Sequence, residues 1–513
     1  IMLDKKHPNE MLVGLNIRDR RLFDQYRVDL STGAVVLDTE NPGDVLGWVT
    51  DPDFQIRGAV ATNNEDGSTI LRVRDSRKAA WRDLLTWPFG DQGGPVGFTS
   101  DGKALYVETT MGADTNRLVK VDAASGKELA TLASDPRCDT GRILVQEDTM
   151  TVQAVEFEYM KPEWKVLDSS IQADFDALEK VRPGVFNLLG RDRADRKWVV
   201  AYLVEDGPTA YYLYDRGSRK ADFLFVNRPE MEKYTFAKRE GVVIKSRDGL
   251  DLVAYLTLPV GAEPKNLPLV LNVHGGPWAR DSWGYDPEAQ WFANRGYACL
   301  QVNFRASSGF GKKFLNAGNA EWGTGKMQDD LTDAVKWAVS RGYADPKKVC
   351  IFGGSYGGYA ALAGLAFTPE IFSCGVDVVG PSNLKTLMES IPPYWAPLKK
   401  QFTLRIGLVE SDEAFNKKIS PLFHADKIRV PLIIAQGAHD PRVNISESDR
   451  MAQALRDRKI PVTYVVYTDE GHGFARPENR LDFYGRVDEF LAKNLGGRAE
   501  PWKQVEGSSA EVR

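Results

Sequence analysis

Cysteine, histidine and long apolar runs are scarce in this chain, and each shortage excludes a class of protein. The four cysteines (Cys138, Cys299, Cys350 and Cys374) are too few for a disulfide scaffold, and none belongs to a C-x-x-C zinc motif. No apolar run approaches the ~18 residues of a transmembrane helix. The chain has a net charge of −5, whereas nucleic-acid-binding proteins typically have an excess of basic residues. We therefore expect neither nucleic-acid nor membrane partners.

The remaining composition is that of a folded protein. Hydrophobic residues make up 42% of the 513 residues and charged residues 27%, which is close to the globular average. A chain of this length exceeds one ordinary core, so at least two structural units are expected. The opening residues show no basic segment followed by an apolar stretch. No signal peptide is therefore expected, which favours a cytoplasmic protein.

The first part of the chain, to about residue 230, has the pattern of an all-β protein. Short apolar or alternating segments are separated by turns rich in Asp, Gly, Asn and Pro. A strand-turn-strand sequence pattern recurs at residues 26–36 and 118–129, and a less similar copy lies at 212–224. Its spacing is compatible with blades of ~40–50 residues and room for about five of them. A β-propeller is the favoured interpretation, and irregular stacked sheets are the alternative.

The pattern changes near Phe236, where apolar strands begin to alternate with helical segments. This alternation is typical of a mostly parallel sheet with helices on both faces. The predicted strands are 268–275, 298–304, 349–353, 376–380, 431–437 and 463–469, and the predicted helices are 328–342, 356–367 and 446–458. The predicted units are thus a β-propeller over 1–232, an α/β domain over 233–498 and a polar, mobile tail over 499–513.

A candidate nucleophile stands in the segment Gly353-Gly354-Ser355-Tyr356-Gly357, which fits the G-x-S-x-G nucleophile elbow. A short apolar strand precedes it and an Ala-rich helix follows it. A tight strand-to-helix turn projects the serine hydroxyl above the sheet, and its strained backbone needs neighbouring glycines. This context, more than the motif itself, indicates that Ser355 is a nucleophile.

A base must take the proton of that hydroxyl, and histidine is the usual one. The chain contains only His7, His274, His424, His439 and His472. In α/β-hydrolases the order along the chain is serine, acid, histidine, and the last two stand on loops after successive strands. Only His472 fits this order. His274 precedes two glycines and is expected to brace its loop.

The acid is expected after the strand 431–437, where Asp440 stands. It would hold the tautomer of His472 and stabilise the imidazolium that forms. Asp426 comes before that strand and Asp449 lies on a helix after it, so both are weaker rivals.

An oxyanion hole needs two aligned N–H donors. One is expected from the backbone of Tyr356, directly after the nucleophile. The other is expected from the glycine-rich turn 273–278, where Gly276 is the chosen donor.

With these pieces in place, the second part resembles the catalytic domain of the prolyl oligopeptidase family of serine peptidases, in its acylaminoacyl-peptidase and dipeptidyl-peptidase-like bacterial branch. The motifs that carry the resemblance are 274-HGGPW-278, 303-NFRASSGFGKKF-314, 353-GGSYGGYA-360, 437-GAHDPRV-443 and 470-EGHGF-474. They extend from about Phe236 to Leu495. The resemblance implies an α/β-hydrolase domain capped by an N-terminal propeller that excludes folded proteins.

The same resemblance implies hydrolysis of short peptides or acyl-peptides, without metal or organic cofactor, and relatives often associate into oligomers. Arg442 matches an arginine that relatives use to hold the substrate, and a loop salt bridge is its alternative role. Tyr394 and Trp395, in an aromatic and proline-rich stretch, either line the substrate pocket or pack a lid. The chain departs from the family pattern in two places: the family propeller usually has seven blades, and Ala306 replaces a usual glycine.

Three hypotheses follow. The first is an exopeptidase or oligopeptidase acting on short peptides, with acylaminoacyl or general oligopeptidase activity as the favoured form. The second is a carboxylesterase on the same architecture, since one triad hydrolyses both amides and esters. The third is a binding module with an inactive hydrolase remnant, against which the intact Ser355, Asp440 and His472 argue. A dipeptidyl activity needs acids that grip an α-ammonium. Glu156 and Glu158 are candidates, although their alternation is more typical of a solvated strand face.

Overall fold

The computed structural model describes residues 1–513, and its first part consists of five antiparallel sheets made of consecutive strands. We number these sheets blade 1 to blade 5. Their strands are, in blade 1, β1 (Met2–Leu3), β2 (Glu10–Asp19), β3 (Leu22–Asp29) and β4 (Val35–Thr39); in blade 2, β5 (Val45–Thr50), β6 (Ile56–Thr62), β7 (Thr69–Val73) and β8 (Arg82–Trp87); in blade 3, β9 (Gly93–Phe98), β10 (Ala104–Thr109), β11 (Arg117–Asp122) and β12 (Glu128–Ala133); in blade 4, β13 (Thr140–Gln146), β14 (Thr151–Glu158) and β15 (Pro162–Val166); and in blade 5, β16 (Val185–Arg191), β17 (Lys197–Leu203), β18 (Ala210–Asp215) and β19 (Lys220–Val226). The all-β, propeller-like prediction is confirmed.

The repeat seen in the sequence is one turn used three times. Asp29, Asp122 and Asp215 each begin the turn before the last strand of blades 1, 3 and 5. Each carboxylate accepts hydrogen bonds from backbone N–H groups two or three residues ahead, which is an Asx turn. The residue four places after each Asp has a positive φ: Gly33 at 73°, Gly126 at 74° and Arg219 at 55°. The third copy lacks the glycine that suits this conformation, which explains its weaker resemblance.

The second part is built on one nine-stranded sheet in the order β20-β21-β23-β22-β24-β25-β26-β27-β28. Its six central strands are parallel, and β20, β21 and β28 are antiparallel to their neighbours at the two edges. The strands are β20 (Arg239–Lys245), β21 (Asp251–Thr257), β22 (Leu267–Val273), β23 (Ala298–Val302), β24 (Ala344–Gly354), β25 (Cys374–Val378), β26 (Leu432–Gly437), β27 (Val462–Tyr467) and β28 (Ala510–Val512). The predicted α/β-hydrolase fold is confirmed.

Ten α-helices accompany these strands. They are α1 (Gln172–Leu178), between blades 4 and 5, and in the second part α2 (Pro287–Arg295), α3 (Lys312–Asn316), α4 (Lys326–Ser340), α5 (Tyr356–Phe367), α6 (Leu384–Glu389), α7 (Lys399–Ile406), α8 (Glu413–Ile419), α9 (Ser446–Asp457) and α10 (Pro477–Leu495). The central strands are mostly buried and rich in apolar residues because helices cover both faces of a parallel sheet. Two apolar clusters result, one on each face of the sheet. No helix combines the length and the apolar character required to cross a lipid bilayer.

The two ends of the second part are a connecting segment and a short edge strand. Residues 227–238, which contain the predicted division at 232, connect β19 to β20 and include the short 3-10 helix Pro229–Met231. The polar tail does not remain free: β28 pairs with β27 at the edge of the sheet, with Val465 opposite Val512. The expectation of a mobile tail is therefore wrong for its last residues.

Candidate active site

Ser355 stands on the sharp turn between β24 and α5. Its backbone is strained, with φ of 59° and ψ of −117°, and its N–H donates to the carbonyl of Val378 at 2.8 Å. The flanking glycines have a steric cause. A β carbon at Gly353 would lie 2.5 Å from the backbone of Gly357, and one at Gly357 would lie 2.1 Å from the carbonyl oxygen of Val273. Backbones cross so closely here that only glycine fits on either side of the serine.

His472 connects this serine to Asp440. Its Nε2 lies 3.0 Å from the Ser355 hydroxyl and its Nδ1 lies 2.7 Å from Asp440 Oδ2. An ionised carboxylate only accepts hydrogen bonds, so Nδ1 carries the hydrogen and the lone pair of Nε2 faces the serine. The structure thus brings the three predicted residues together, from the ends of β24, β26 and β27, in the geometry that a general base requires.

The backbone of its own loop fixes the orientation of Asp440. Oδ1 accepts hydrogen bonds from the N–H groups of Arg442 at 2.8 Å and Val443 at 2.9 Å, which leaves Oδ2 for the imidazole. The two rival acids lie elsewhere: Asp426 is exposed, and Asp449 accepts from the hydroxyl of Tyr464.

Glu470, which sequence reasoning missed, anchors the loop that carries His472. Its carboxylate accepts hydrogen bonds from the backbone N–H groups of Ala475 and Arg476 and from the amide of Asn479, at 2.8–2.9 Å. Burial raises the pKa of this carboxyl, but the hydrogen bonds from Asn479 and the backbone outweigh burial and lower it below its ordinary value. Asp469 and Glu470 are adjacent, so the sequence alone does not show which of the two carboxylates faces the backbone of the loop.

The two predicted oxyanion donors lie on the same pocket as Ser355. Tyr356 is the first residue of α5, where a helix leaves its N–H without an intrahelical acceptor, and Gly276 stands opposite with φ of 124°. His274 braces this turn, as expected. Its Nε2 lies 3.0 Å from the hydroxyl of Ser307, and its ring stacks on Phe304 at 4.5 Å.

An apolar pocket opens beside Ser355. Of its fourteen lining residues ten are hydrophobic, and the only ionisable side chains among them are Arg442 and Tyr356. The remaining lining residues are Gly276, Trp278, Trp322, Ser355, Pro381, Leu387, Met388, Ile391, Trp395, Phe402, Ile406 and Val443. The sequence analysis did not place Trp278, Trp322 or Phe402 in the pocket, because they come from three separate segments and the motif that contains Trp278 indicated only an oxyanion donor.

Of the two aromatic residues singled out in the sequence, the structure places one in the pocket. Trp395 lines it, whereas Tyr394 is 37% exposed, lies outside the lining and packs edge-on against Trp395. Arg442 is exposed and lines the pocket, with its guanidinium 5.8 Å from the centre of the Trp395 ring. It forms no salt bridge, so the alternative role of a loop salt bridge does not hold.

The two acids of β14 do not lie on a solvated face. Glu156 is 5% exposed and pairs with Arg142 at 3.0 Å. Glu158 Oε1 accepts from the backbone N–H of Trp283 at 2.8 Å and lies 4.0 Å from Arg280. Both therefore face protein groups, and Glu158 faces the segment that continues from the oxyanion turn.

Comparison with known proteins agrees with this geometry. The sequence profile of the prolyl oligopeptidase family matches residues 283–498. The dipeptidyl aminopeptidase BIII of Pseudoxanthomonas mexicana is 47% identical over 519 residues, which cover 99% of this chain and 75% of that protein. The dipeptidyl peptidase family member 6 of Caenorhabditis elegans is 36% identical and covers 98% of this chain and 72% of its own length.

A solved structure shares the fold over nearly the whole chain. The puromycin-hydrolysing peptidase of Mycobacterium tuberculosis superposes with a TM-score of 0.76, covering 96% of this chain and 78% of that one at 22% identity. The fold, the family profile and the relatives together define a serine peptidase. The chain belongs to the prolyl oligopeptidase family, which confirms the resemblance inferred from its motifs.

Proposed function

We propose that this peptidase works through an acyl-enzyme formed on Ser355. His472 Nε2 takes the proton of the serine hydroxyl while Oγ attacks the carbonyl carbon of the scissile peptide bond. The N–H groups of Tyr356 and Gly276 hold the negative oxygen of the tetrahedral intermediate. The carbon–nitrogen bond then breaks and the leaving amine takes the proton from His472.

Water completes the cycle by the same steps. His472 takes a proton from the water molecule as its oxygen attacks the acyl carbon, and then returns that proton to Ser355 Oγ as the ester bond breaks. Asp440 holds the imidazole in place and stabilises its charged form throughout. The observation that carries the proposal is the hydrogen-bonded line from Asp440 through His472 to Ser355 at the mouth of the apolar pocket.

The pocket takes the side chain of the residue before the scissile bond. Its walls are aromatic and aliphatic and contain no carboxylate. Burying a large apolar side chain there contributes about 1.5–3 kcal/mol, whereas a cationic side chain would lose its hydration and find no carboxylate in the lining. We therefore expect substrates with bulky apolar residues at this position.

We further propose release of dipeptides from free N-termini. The two relatives that align with almost the whole chain carry the names dipeptidyl aminopeptidase and dipeptidyl peptidase. Glu158 is the acid best suited to hold an α-ammonium, because its Oε1 is occupied by the Trp283 N–H and its Oε2 accepts no hydrogen bond from the protein. It also lies against the segment that follows Gly276.

The second candidate is cleavage of N-acylated peptides, which need no acid for an ammonium. The close approach of Arg280 to Glu158 favours it, because this guanidinium already offsets part of the carboxylate charge. In both cases the propeller would limit access to short peptides.

The test compares anilides of Ala-Phe with a free N-terminus and with an acetylated one, beside acetyl-Phe anilide and its matched ester. Dipeptide release would be supported if kcat/KM is at least tenfold higher for the free Ala-Phe anilide than for the acetylated one. Glu158→Gln should lose this preference and Glu163→Gln should keep it. Preference for acetyl-Phe would establish the acylated-peptide alternative, and cleavage of the ester alone would indicate an esterase. Ser355→Ala is the blank, and a fluorophosphonate probe must label wild type but not this variant.

A further inference from the structure

Helix α7 (Lys399–Ile406) separates the apolar pocket from the propeller. On one face, Phe402 and Ile406 lie one turn apart and line the pocket. The Phe402 ring stacks on Trp278 with centroids 5.4 Å apart and an interplanar angle of 16°, and Trp395 contacts its edge at 5.3 Å. This face of α7 therefore supports Trp278 and Trp395, two aromatic residues of the pocket wall.

The opposite face of α7 packs on blade 2. Gln401 Nε2 donates to the carbonyl of Gly67, in the turn between β6 and β7, at 3.1 Å. A β carbon at Gly67 would lie 2.9 Å from Leu404 Cδ1 and 3.4 Å from the ring of Phe89, which lies two residues after the last strand of blade 2. The propeller turn and the helix are thus in direct van der Waals contact, with no room for a methyl group between them.

Arg405 joins the two sides. Its guanidinium lies 5.2 Å from the centre of the Phe89 ring and 5.7 Å from that of Trp278. It has no carboxylate partner, and its hydrogen bonds go to the side-chain oxygens of Asn316 and Asn319 at 3.4 and 3.2 Å. Burial lowers the pKa of Arg405 to about 10, so it stays charged at neutral pH. One cation is therefore shared between a propeller ring and a ring of the pocket wall.

We propose that blade 2, acting through α7, sets the width of the apolar pocket, and that Phe89 is a positioning residue for substrate selectivity although it does not line the pocket. The physical reason is the length of the helix. Eight residues are too few to hold a helix by its own hydrogen bonds, so packing on both faces fixes its position. Removing the propeller contact lets Phe402 and Ile406 move away from the substrate. The inference rests on the proposed function of the pocket.

The experiment measures kcat/KM for Ala-Phe and Ala-Ala anilides in the full-length wild type, Phe89→Ala and Leu404→Ala. Both variants are expected to lose about tenfold with Ala-Phe anilide, which corresponds to about 1.4 kcal/mol. They should change less than twofold with Ala-Ala anilide, whose small side chain makes few wall contacts. Phe89→Leu keeps an apolar contact with the helix. It should therefore retain most of the wild-type ratio of kcat/KM for Ala-Phe anilide to that for Ala-Ala anilide. Labelling of Ser355 by a small fluorophosphonate should proceed at the wild-type rate.

Val73→Ala is the matched control, because Val73 lies in the inner core of the same blade with Leu71 and Trp87. It is expected to lower stability without changing the Phe-to-Ala ratio. Equal losses with both substrates in Phe89→Ala and Leu404→Ala, or an unchanged ratio, would overturn the inference while leaving the proposed function intact. A wild type that does not prefer Phe over Ala would instead contradict the proposed pocket and the inference with it.

Discussion

Asp440 illustrates how one oxygen atom determines the chemistry of its neighbour. Because Oδ2 accepts from His472 Nδ1, the Nε2 lone pair faces Ser355. In Asp440→Asn the side-chain amide can donate to Nδ1 instead, which stabilises the wrong tautomer. We expect kcat to fall by about 10⁴ with little change in the melting temperature. Asp449→Asn, which alters the rival acid, should retain activity, and the reverse result would show that the acid is misassigned.

Asp377 is a buried carboxyl that the mechanism does not use. Its Oδ1 accepts from the N–H of Gly380 at 2.9 Å, its Oδ2 has no partner, and burial raises its pKa to about 8. The folded state therefore keeps a proton that the unfolded chain releases near pH 4. This preference stabilises the folded state fully below about pH 4 and is lost as the pH rises through about 8, at up to ~1.4 kcal/mol per pH unit.

Asp377→Asn is accordingly expected to flatten the decline of stability between about pH 4 and pH 8 and to unfold at a higher temperature than wild type above that range. Thermal melts of both proteins across this pH range provide the measurement. The exposed Asp53→Asn is the control and should follow the wild-type curve. Parallel pH profiles for wild type and Asp377→Asn would show that Asp377 titrates normally.

Residue-level prediction from the sequence succeeded where backbone geometry restricts residue type. The glycines around Ser355 are required by contacts of 2.1–2.5 Å, and such a requirement leaves a visible pattern. Glu470 and Trp278 stand inside the motifs 470–474 and 274–278, but those motifs did not indicate what either side chain does. Their roles depend on which way a loop turns after folding, and neighbouring acids or aromatic residues would look the same in the sequence.

At the scale of elements, the loop from Glu470 to Arg476 behaves as one unit that positions His472. In Glu470→Gln the amide can no longer accept all three hydrogen bonds, and removing hydrogen bonds to a charged group costs about 1.5–3 kcal/mol. We expect kcat to fall at least tenfold with KM nearly unchanged, because the base is displaced while the pocket is not. Amide hydrogen exchange of this loop should accelerate.

Asp469→Asn is the control for that experiment, since its carboxylate faces Arg476, Asn479 and Ser509 instead of the loop backbone. The amide hydrogen exchange of the loop and the kcat of this variant should both stay closer to the wild-type values. Equal kinetic losses in the two variants would mean that charge near the loop, and not its hydrogen bonding, supports activity.

The elements that the sequence analysis did not predict include the 19-residue α10 and two shorter ones, β28 and α7. Strand β28 is only three residues long, so it has no alternation to detect in a polar tail, and it forms because β27 offers an unpaired edge. Helix α7 similarly lies in a stretch without strong periodicity. By contrast, the long apolar strands and α5 were predicted because burial on both faces demands an uninterrupted apolar sequence.

At the scale of the whole molecule, the two architectures were predictable and their contact was not. The Asx turns of Asp29, Asp122 and Asp215 repeat because blades 1, 3 and 5 each need a tight turn before their last strand. The contact between the parts instead joins residues far apart in the chain. Lys312 and Asp91 are separated by 221 positions, and nothing in either segment indicates the other.

Away from α7, part of this contact is polar. Lys312 Nζ lies 2.5 Å from Asp91 Oδ1 and 3.1 Å from the carbonyl of Thr110, and Arg280 donates to the carbonyls of Glu158 and Tyr159. Half-buried ion pairs of this kind contribute up to about 1 kcal/mol and weaken in salt. Lys312 therefore helps to hold the propeller against the catalytic part, and we expect its removal to ease the entry of longer peptides.

Lys312→Met is therefore expected to raise the ratio of kcat/KM for an extended peptide to that for a tripeptide anilide by up to about fivefold, the factor that ~1 kcal/mol represents. Added salt should raise this ratio in wild type and have little further effect in the variant, because the charge pair is already gone. Lys313→Met is the matched control, since the Lys313 side chain is 82% exposed and its Nζ lies 3.9 Å from Asp114 Oδ2. If Lys312→Met and Lys313→Met give the same ratio as wild type at every salt concentration, access does not depend on this pair, and substrates reach Ser355 without separation of the two parts at Lys312.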